Sequence, residues 1–569
     1  MSLMEYLRGS RRLPGVRNAA GIRQPGFALV SLVHLIALGI MLASEQGPVE
    51  KFVFLLTWGL LNCFFLALLR RPAAAGVLSL GFIVALILLS RLKYDVIWMT
   101  INFLDILIVD ADTVDFLLTI FPSLGKILLA CVAVGVPAFV VVWRSDDYRV
   151  RRPLAAAGVA ACLFGLTAIS LYVPHRNWEE FLPGSHVSKF ARSSVESLSE
   201  LWRHGFLESD AMAAGSLGVA ADDCEATGRR PHIILIHDES SFDIRAIPGV
   251  KLPPGYGAHF VSFDGKQRRF MVESNGGASW FAEYNVLAGL SSRSFGRFSY
   301  FLTRVAAGRV ERGLPRTLQR CGYRTYTLYP ANGAFMSARS FHASAGIEHF
   351  LDRRALGAGG PEPDSFYYGK AEDILARERG NGPLFMFVYL AANHFPWEER
   401  FRPDLTPGWR DPGNTPKVDE YLRRQAMSAA DYSDFLARLR HDFPLESFLI
   451  VRYGDHQPEF AAAMIEPGIG DDAIARRMAT FDPRYFSTYY GIDVLNFEPH
   501  RTEAALAQLD APYLPLVIQQ LAGLPLGPSF AEQKKIFERC NGVYYACNSG
   551  AESRRFNRLL IDAGFIKGL

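Results

Sequence analysis

Five apolar segments crowd the first third of this 569-residue chain, at about 25–44, 52–69, 74–90, 124–143 and 153–172. Each runs for about 17–20 residues with few or no charges, the length a helix needs to cross roughly 30 Å of hydrocarbon. The alternative, buried helices of a water-soluble core, would require five such segments with no charged face among them. The pattern therefore predicts a helical membrane domain over 25–172.

Charge in the short loops sets the expected orientation. Arg8, Arg11, Arg12, Arg17 and Arg23 precede the first segment against a single acid, Glu5. Arg70 and Arg71 follow the second, and Arg144, Arg149, Arg151 and Arg152 lie between the fourth and fifth. The loop EQGPVEK after the first segment is not basic; Arg91 and Lys93 run against the pattern but are outnumbered. Residues 1–24 are thus expected in the cytoplasm and everything beyond about 173 outside. The first segment starts too far along, and lacks a small-residue cleavage site, to read as a removed signal peptide.

Four of the seven cysteines, Cys224, Cys321, Cys540 and Cys547, fall in the outer part. An even number in an oxidising compartment predicts two disulfides. Cys540 and Cys547 are placed to close a local turn, which leaves Cys224 with Cys321. A net charge of +3 gives no reason to expect nucleic acid.

Between the third and fourth segments the apolar texture is interrupted by Asp105, Asp110, Asp112 and Asp115. That suits amphipathic helices at the outer membrane face. Residues 177–206 mix aromatics and charges at helical spacing and predict an interfacial connector helix, followed by a polar, Ala/Gly-rich linker; together 173–230 joins two domains. From 231 to 569, short apolar runs at 232–237, 323–329, 384–390 and 447–453 alternate with helical patterns at about 279–290, 313–321, 367–378 and 418–439. This predicts an α/β domain with a largely parallel sheet, whose ligands bind at the carboxyl ends of the strands.

The strand ends are rich in polar groups. HIILIH ends in His237-Asp238-Glu239-Ser240-Ser241, SFLIVRY in Gly454-Asp455-His456, and LFMFVYL runs into Asn393-His394-Phe395-Pro396-Trp397. Singly, each reads equally as a cap or a surface group. In one sheet they would converge, and a set of carboxylates and imidazole suits Mn²⁺ or Zn²⁺. Ser279 follows Gly276-Gly277-Ala278 at the expected start of a helix. That is a place for a nucleophile facing a phosphoryl group, and equally for an ordinary N-cap.

Taken in order, these motifs resemble the lipoteichoic acid synthases and their relatives. Those include the phosphoglycerol transferases of periplasmic glucans and, more distantly, the phosphoethanolamine transferases of lipid A, in the sulfatase-like branch of the alkaline phosphatase superfamily. The matching positions are Glu239 in LIHDES, Ser279 four residues before Glu283, Arg339 in FMSARSF (one residue off the family's spacing), His394 in NHFPW, and Asp455 with His456 in YGDH. The resemblance implies five membrane helices followed by an extracytoplasmic sulfatase-like α/β domain. It implies Ser279 as nucleophile and metal ligand, with Glu239, Asp455 and His456 as the other ligands of one divalent ion, Mn²⁺ first and Zn²⁺ or Mg²⁺ also suitable. Arg339, His394 and Trp280 would bind substrate. The family has threonine where this chain has Ser279, so Ser274 is the fallback nucleophile.

The implied reaction moves a phosphoglycerol-type headgroup from a phospholipid donor to a glycan or glycolipid acceptor, outside the cytoplasmic membrane. HDESSFD lacks the Gly-Glu-Thr pattern of the phosphoethanolamine enzymes, and paired cysteines favour a Gram-negative periplasm. Phosphoethanolamine transfer, or a phosphodiesterase or phosphatase with water as acceptor, would use the same site. No Cys/Ser-x-Pro-x-Arg motif is present, which disfavours sulfate-ester hydrolysis. A non-catalytic protein with a degenerate domain would have lost a ligand position, and all are filled.

Overall fold

The computed structural model describes residues 25–569 except 98, 109–110, 121–122, 174–180, 211, 214, 218–223 and 225–229. The N-terminal arginines, Asp110 and most of the expected linker lie outside the described residues. The chain divides into two compact units, one ending at Ala85 and resuming over Leu128–Leu166, the other formed by Leu86–Ile127 and Thr167–Leu569.

Helices Pro25–Ser44, Pro48–Leu69, Pro72–Ile97, Ser123–Ser145 and Arg152–Tyr172 contain the five expected segments. All five are long and apolar enough to cross a membrane. Prolines 48 and 72 begin their helices, where a missing N–H costs nothing. In the first unit, two loops that the charge pattern assigned to the same side do meet. Arg71 donates to the carbonyls of Trp143 and Asp146 and stacks 4.5 Å from the Trp143 ring. The Asp146 carboxylate accepts from Ala73 N at 2.7 Å and Ala74 N at 3.0 Å, which satisfies two orphan donors at a helix start.

Within the second unit, Lys93 donates to both Asp105 oxygens, at 2.9 and 2.8 Å, and lies 4.4 Å from the Tyr300 ring centroid. A basic residue that ran against the charge rule is thus neutralised by a local partner. The connector helix is His186–His204, shorter than expected, and it leaves Leu198, Leu201 and Trp202 exposed.

The α/β domain is built on strands β1 (His232–Asp238), β2 (Arg268–Met271), β3 (Arg324–Leu328), β4 (His349–Leu351), β5 (Leu384–Tyr389), β6 (Phe448–Gly454), β7 (Ser487–Leu495) and β8 (Gln508–Asp510). They form one sheet in the order β4-β3-β5-β1-β6-β7-β2-β8. β4, β3, β5, β1 and β6 are mutually parallel, whereas β7 runs antiparallel to both β6 and β2. The sheet is therefore largely parallel, as expected, with β7 alone reversed between β6 and β2. β1 alternates between two cores: Ile233 and Leu235 pack with Phe387 and Val451 on one face, Ile234 and Ile236 with Val388 and Ile450 on the other. Burial on both faces explains why its sequence reads as an uninterrupted apolar run.

Both disulfides form as expected, Cys224–Cys321 and Cys540–Cys547. A buried acid adds a pH dependence. Asp364 accepts from Ala392 N at 3.2 Å and from Ser428 Oγ at 2.5 Å. Burial, reinforced by the charge of Asp238, pushes its carboxyl up to about 7. The folded state then holds a proton that an unfolded aspartate releases near pH ~3.9, so the contribution of Asp364 to stability is full below about pH 4 and is lost as pH rises through about 7. Thermal melts across that window should show a falling Tm in the wild type and a flatter profile in Asp364→Asn.

Candidate metal and nucleophile site

β1 and β6 are in register, with His237 opposite Tyr453 and Asp238 opposite Gly454. Glu239 and Asp455 therefore leave the two strands side by side. His237, Glu239 and Asp455 are all buried, with ligand atoms within 4.8 Å of one another. His237 Nδ1 is hydrogen-bonded to Tyr453 Oη at 2.7 Å, and its ring lies 4.0 Å from that of Tyr389. These contacts aim Nε2 at Asp455 Oδ2, 3.1 Å away. Yet neither atom has a hydrogen-bond partner among the described residues. The two atoms face each other as a buried imidazole–carboxylate pair with no other hydrogen bond among the described residues, and a cation could be shared between them.

The other oxygens are held in place. Asp455 Oδ1 accepts from Ser240 N at 2.7 Å and His456 N at 2.9 Å. Glu239 accepts from Ser240 Oγ at 2.8 Å and Tyr389 Oη at 2.8 Å. His456 Nδ1 is 2.9 Å from the Gln457 carbonyl, so Nε2 faces inward, 3.4 Å from Glu239 and 3.3 Å from Asp455. Burial pushes the His456 imidazole down, but the two carboxylates outweigh it and carry its pKa up to about 9. Burial likewise pushes Glu239 up, while the hydrogen bond from His456 and the charges of His394 and His456 hold it well below the usual range. Two carboxylates and two imidazoles fit one divalent cation, whose binding would displace the imidazole proton.

Ser279 completes the cluster. Its hydroxyl makes no capping bond to the helix Trp280–Ala288. Instead Oγ donates to Glu239 at 3.2 Å and lies 3.3 Å from His456 Nε2. The preceding Ala278 has φ 62° and Gly276 φ 72°, left-handed geometry that costs a non-glycine residue energy and is concentrated at functional sites. Gly276 N donates to the Gln457 carbonyl at 2.9 Å, tying this loop to the one after β6. Ser274 Oγ reaches only the Asp455 carbonyl, at 3.5 Å, which separates the two candidate serines.

The remaining expected residues are more loosely placed. His394 is half-buried near Glu239, with Nδ1 2.7 Å from the Phe395 carbonyl. Trp280 donates from Nε1 to the Tyr300 carbonyl at 2.9 Å. Arg339 is 50 % exposed and engaged with Asp352 at 2.5 Å and the Phe350 carbonyl at 3.0 Å, outside the buried cluster. Glu283 pairs instead with buried His342 at 2.8 Å. His237, one of the polar groups at the end of β1, is the residue that the motifs did not include among the ligands. Strand alternation could have found it, since His237 and Glu239 are two apart and point the same way.

A carboxylate–imidazole cluster around a buried hydroxyl, at the carboxyl ends of adjacent strands, is an arrangement that could hold a divalent cation beside a nucleophile. Residues 275–481 match the Sulfatase family model. The matched range includes Ser279, Arg339, His394, Asp455 and His456. An uncharacterized protein of Haemophilus influenzae is 24% identical over 216 residues, covering 36% of this chain and 39% of the relative. The chain thus spans about two fifths of the curated relative it matches. Among solved structures, the phosphoglycerol transferase GacH of Streptococcus pyogenes, in complex with sn-glycerol-1-phosphate, is 14% identical with a TM-score of 0.44, covering 61% of this chain and 92% of that one. The lipooligosaccharide phosphoethanolamine transferase EptA of Neisseria meningitidis is 13% identical with a TM-score of 0.42, covering 88% and 93%. The periplasmic domain of Escherichia coli EptC, in complex with Zn, is 13% identical with a TM-score of 0.39, covering 55% and 87%. At this distance the similarities assign no substrate.

Proposed function

We propose that this protein is a phosphotransferase of the cytoplasmic membrane, with its α/β domain in the periplasm. It moves a phosphoglycerol-type headgroup from a phospholipid to a glycan or glycolipid. The observation that carries the reading is the placement of Ser279 Oγ against Glu239 and His456, beside the buried His237–Asp455 pair. His237, Glu239, Asp455 and His456 would hold one divalent ion, Mn²⁺, Zn²⁺ or Mg²⁺, with the Ser279 hydroxyl beside it. Such an ion lowers the pKa of a hydroxyl and offsets charge on a phosphoryl group.

Glu239 would take the Ser279 proton as the serine oxygen attacks phosphorus. The bond from phosphorus to diacylglycerol oxygen breaks, and the departing alkoxide takes a proton that His394 would donate. An acceptor hydroxyl then attacks phospho-Ser279 and gives its proton to His394, the bond from phosphorus to serine oxygen breaks, and Ser279 recovers its proton from Glu239. Arg339 and Trp280 would grip the headgroup, the arginine through N–H groups directed at phosphate oxygens. The absence of the Cys/Ser-x-Pro-x-Arg motif supports phosphate over sulfate, and the lack of Gly-Glu-Thr at Glu239 supports phosphoglycerol over phosphoethanolamine.

Intact-mass measurement after incubation with phosphatidylglycerol or phosphatidylethanolamine tests this directly, because the two adducts differ in mass. A phosphoglycerol adduct is expected on the wild type and none on Ser279→Ala. An undiminished adduct on that variant refutes the nucleophile, and a phosphoethanolamine adduct refutes the donor.

A further inference from the structure

The strands that carry the metal-type cluster bear a second polar cluster on their opposite face. Asp238, one residue after His237, points away from Ser279. It accepts from Tyr489 and lies 3.1 Å from His259 Nε2. Arg452, one residue before Tyr453, points the same way. Its guanidinium is 3.9 Å from the Tyr432 ring and donates to the His259 carbonyl at 3.0 Å and to Asp493 Oδ2 at 3.4 Å. Its side chain is 3% exposed, and Nε has no hydrogen-bond partner among the described residues.

This cluster opens into a cavity of about 460 Å³ lined by Tyr256, His259, Trp409, Tyr432, Arg452 and Asp493, a size typical of small-molecule sites. The Arg452 charge is offset by Asp493 and by Asp238 behind His259, so the cavity has no surplus positive charge to select phosphate or sulfate. Tyr432 Oη donates to Asp493 Oδ2 at 2.7 Å, and no hydrogen bond among the described residues uses Oδ1. A buried unpaired donor, a half-buried carboxylate oxygen and the rings of Trp409 and Tyr256 are the complement of a hydroxyl-rich ring with apolar faces.

We propose that this cavity is a saccharide site for one or two neutral hexose residues, on the sheet face opposite Ser279. That it grips the acceptor glycan rests on the transferase reading above; the binding itself does not.

The test is saturation-transfer NMR on the detergent-solubilised full chain, with maltotriose and cellotriose as probes. Wild type is expected to transfer saturation to at least one of them. Asp493→Ala and Trp409→Ala should each weaken it by about fivefold or more, and Ser279→Ala should leave it unchanged. Trp409 lies at the half-buried rim, so its variant decides the question if Asp493→Ala fails to fold. No transfer to either sugar, full transfer in Trp409→Ala, or loss in Ser279→Ala overturns the assignment. Displacement of the sugar by inorganic phosphate overturns its neutral character. An adduct on Ser279 without sugar binding refutes this inference alone; sugar binding without an adduct refutes the transferase reading alone.

Discussion

Asp455→Asn is expected to abolish metal binding and headgroup transfer together. The substitution keeps the size of the side chain and one acceptor oxygen for the Ser240 and His456 amides, which now bind Oδ1 at 2.7 and 2.9 Å. It removes the negative charge that faces His237 Nε2 at 3.1 Å and His456 Nε2 at 3.3 Å. With one carboxylate gone, two imidazoles and Glu239 retain too little charge to hold a hard cation firmly. Loss of even an outer partner of a metal site typically costs about 10–100-fold in affinity or activity, and loss of a direct ligand more. Transfer should therefore fall by about a thousandfold, with metal content dropping below stoichiometric by elemental analysis. A second readout separates this from misfolding. Added metal should raise the Tm of the wild type by mass action and leave that of Asp455→Asn unmoved. If the variant still binds metal stoichiometrically, Asp455 is not a ligand.

Much of this site was legible in the sequence because strand ends in a parallel α/β array are predictable places. An apolar run ending in Gly454-Asp455-His456 and another ending in Asp238-Glu239 needed only the register of β1 against β6 to meet. What could not be read was which atoms face inward. Ser279 fits both a cap and a nucleophile by sequence, and only the left-handed turn at Ala278 turns Oγ towards Glu239. Asp238 and Glu239 are equal as letters, yet alternation sends one to His259 and the other to Ser279. Arg339 sits in a recognisable motif, but its placement depends on Asp352 and Phe350, which no spacing rule predicts. β7 was missed because STYYGIDVL carries Ser487, Thr488, Gly491 and Asp493, so its hydrophobic signal is weak. That omission also hid the one antiparallel strand and the second cavity, whose Asp493 it supplies.

Gly454→Ala is the substitution expected to damage the molecule most for the fewest atoms. A Cβ at this position would lie 1.7 Å from the Ser241 carbonyl oxygen, 2.8 Å from its carbon and 3.2 Å from Thr488 Cβ. The position has no left-handed φ, so the demand is for space alone. The nearest atoms are backbone and cannot rotate away. Behind them, Thr488 Oγ1 donates to the Gly454 carbonyl at 2.7 Å and pins β7 to the same point. Relief requires the end of β6 to separate from the turn Glu239-Ser240-Ser241, which is the movement that parts Glu239 from Asp455. Overpacking of this kind costs about 1–3 kcal/mol where side chains can yield, and more where backbone must shift. Denaturant melts should show a loss of at least about 3 kcal/mol, and the folded fraction should bind metal poorly despite an intact ligand set. Gly369→Ala is the matched control: it sits in the helix Asp364–Glu378 with nothing within 4 Å of the added carbon. It should be neutral or stabilising by up to about 1 kcal/mol. Wild-type stability and metal content in Gly454→Ala would show that β1 and β6 are not clamped at this glycine.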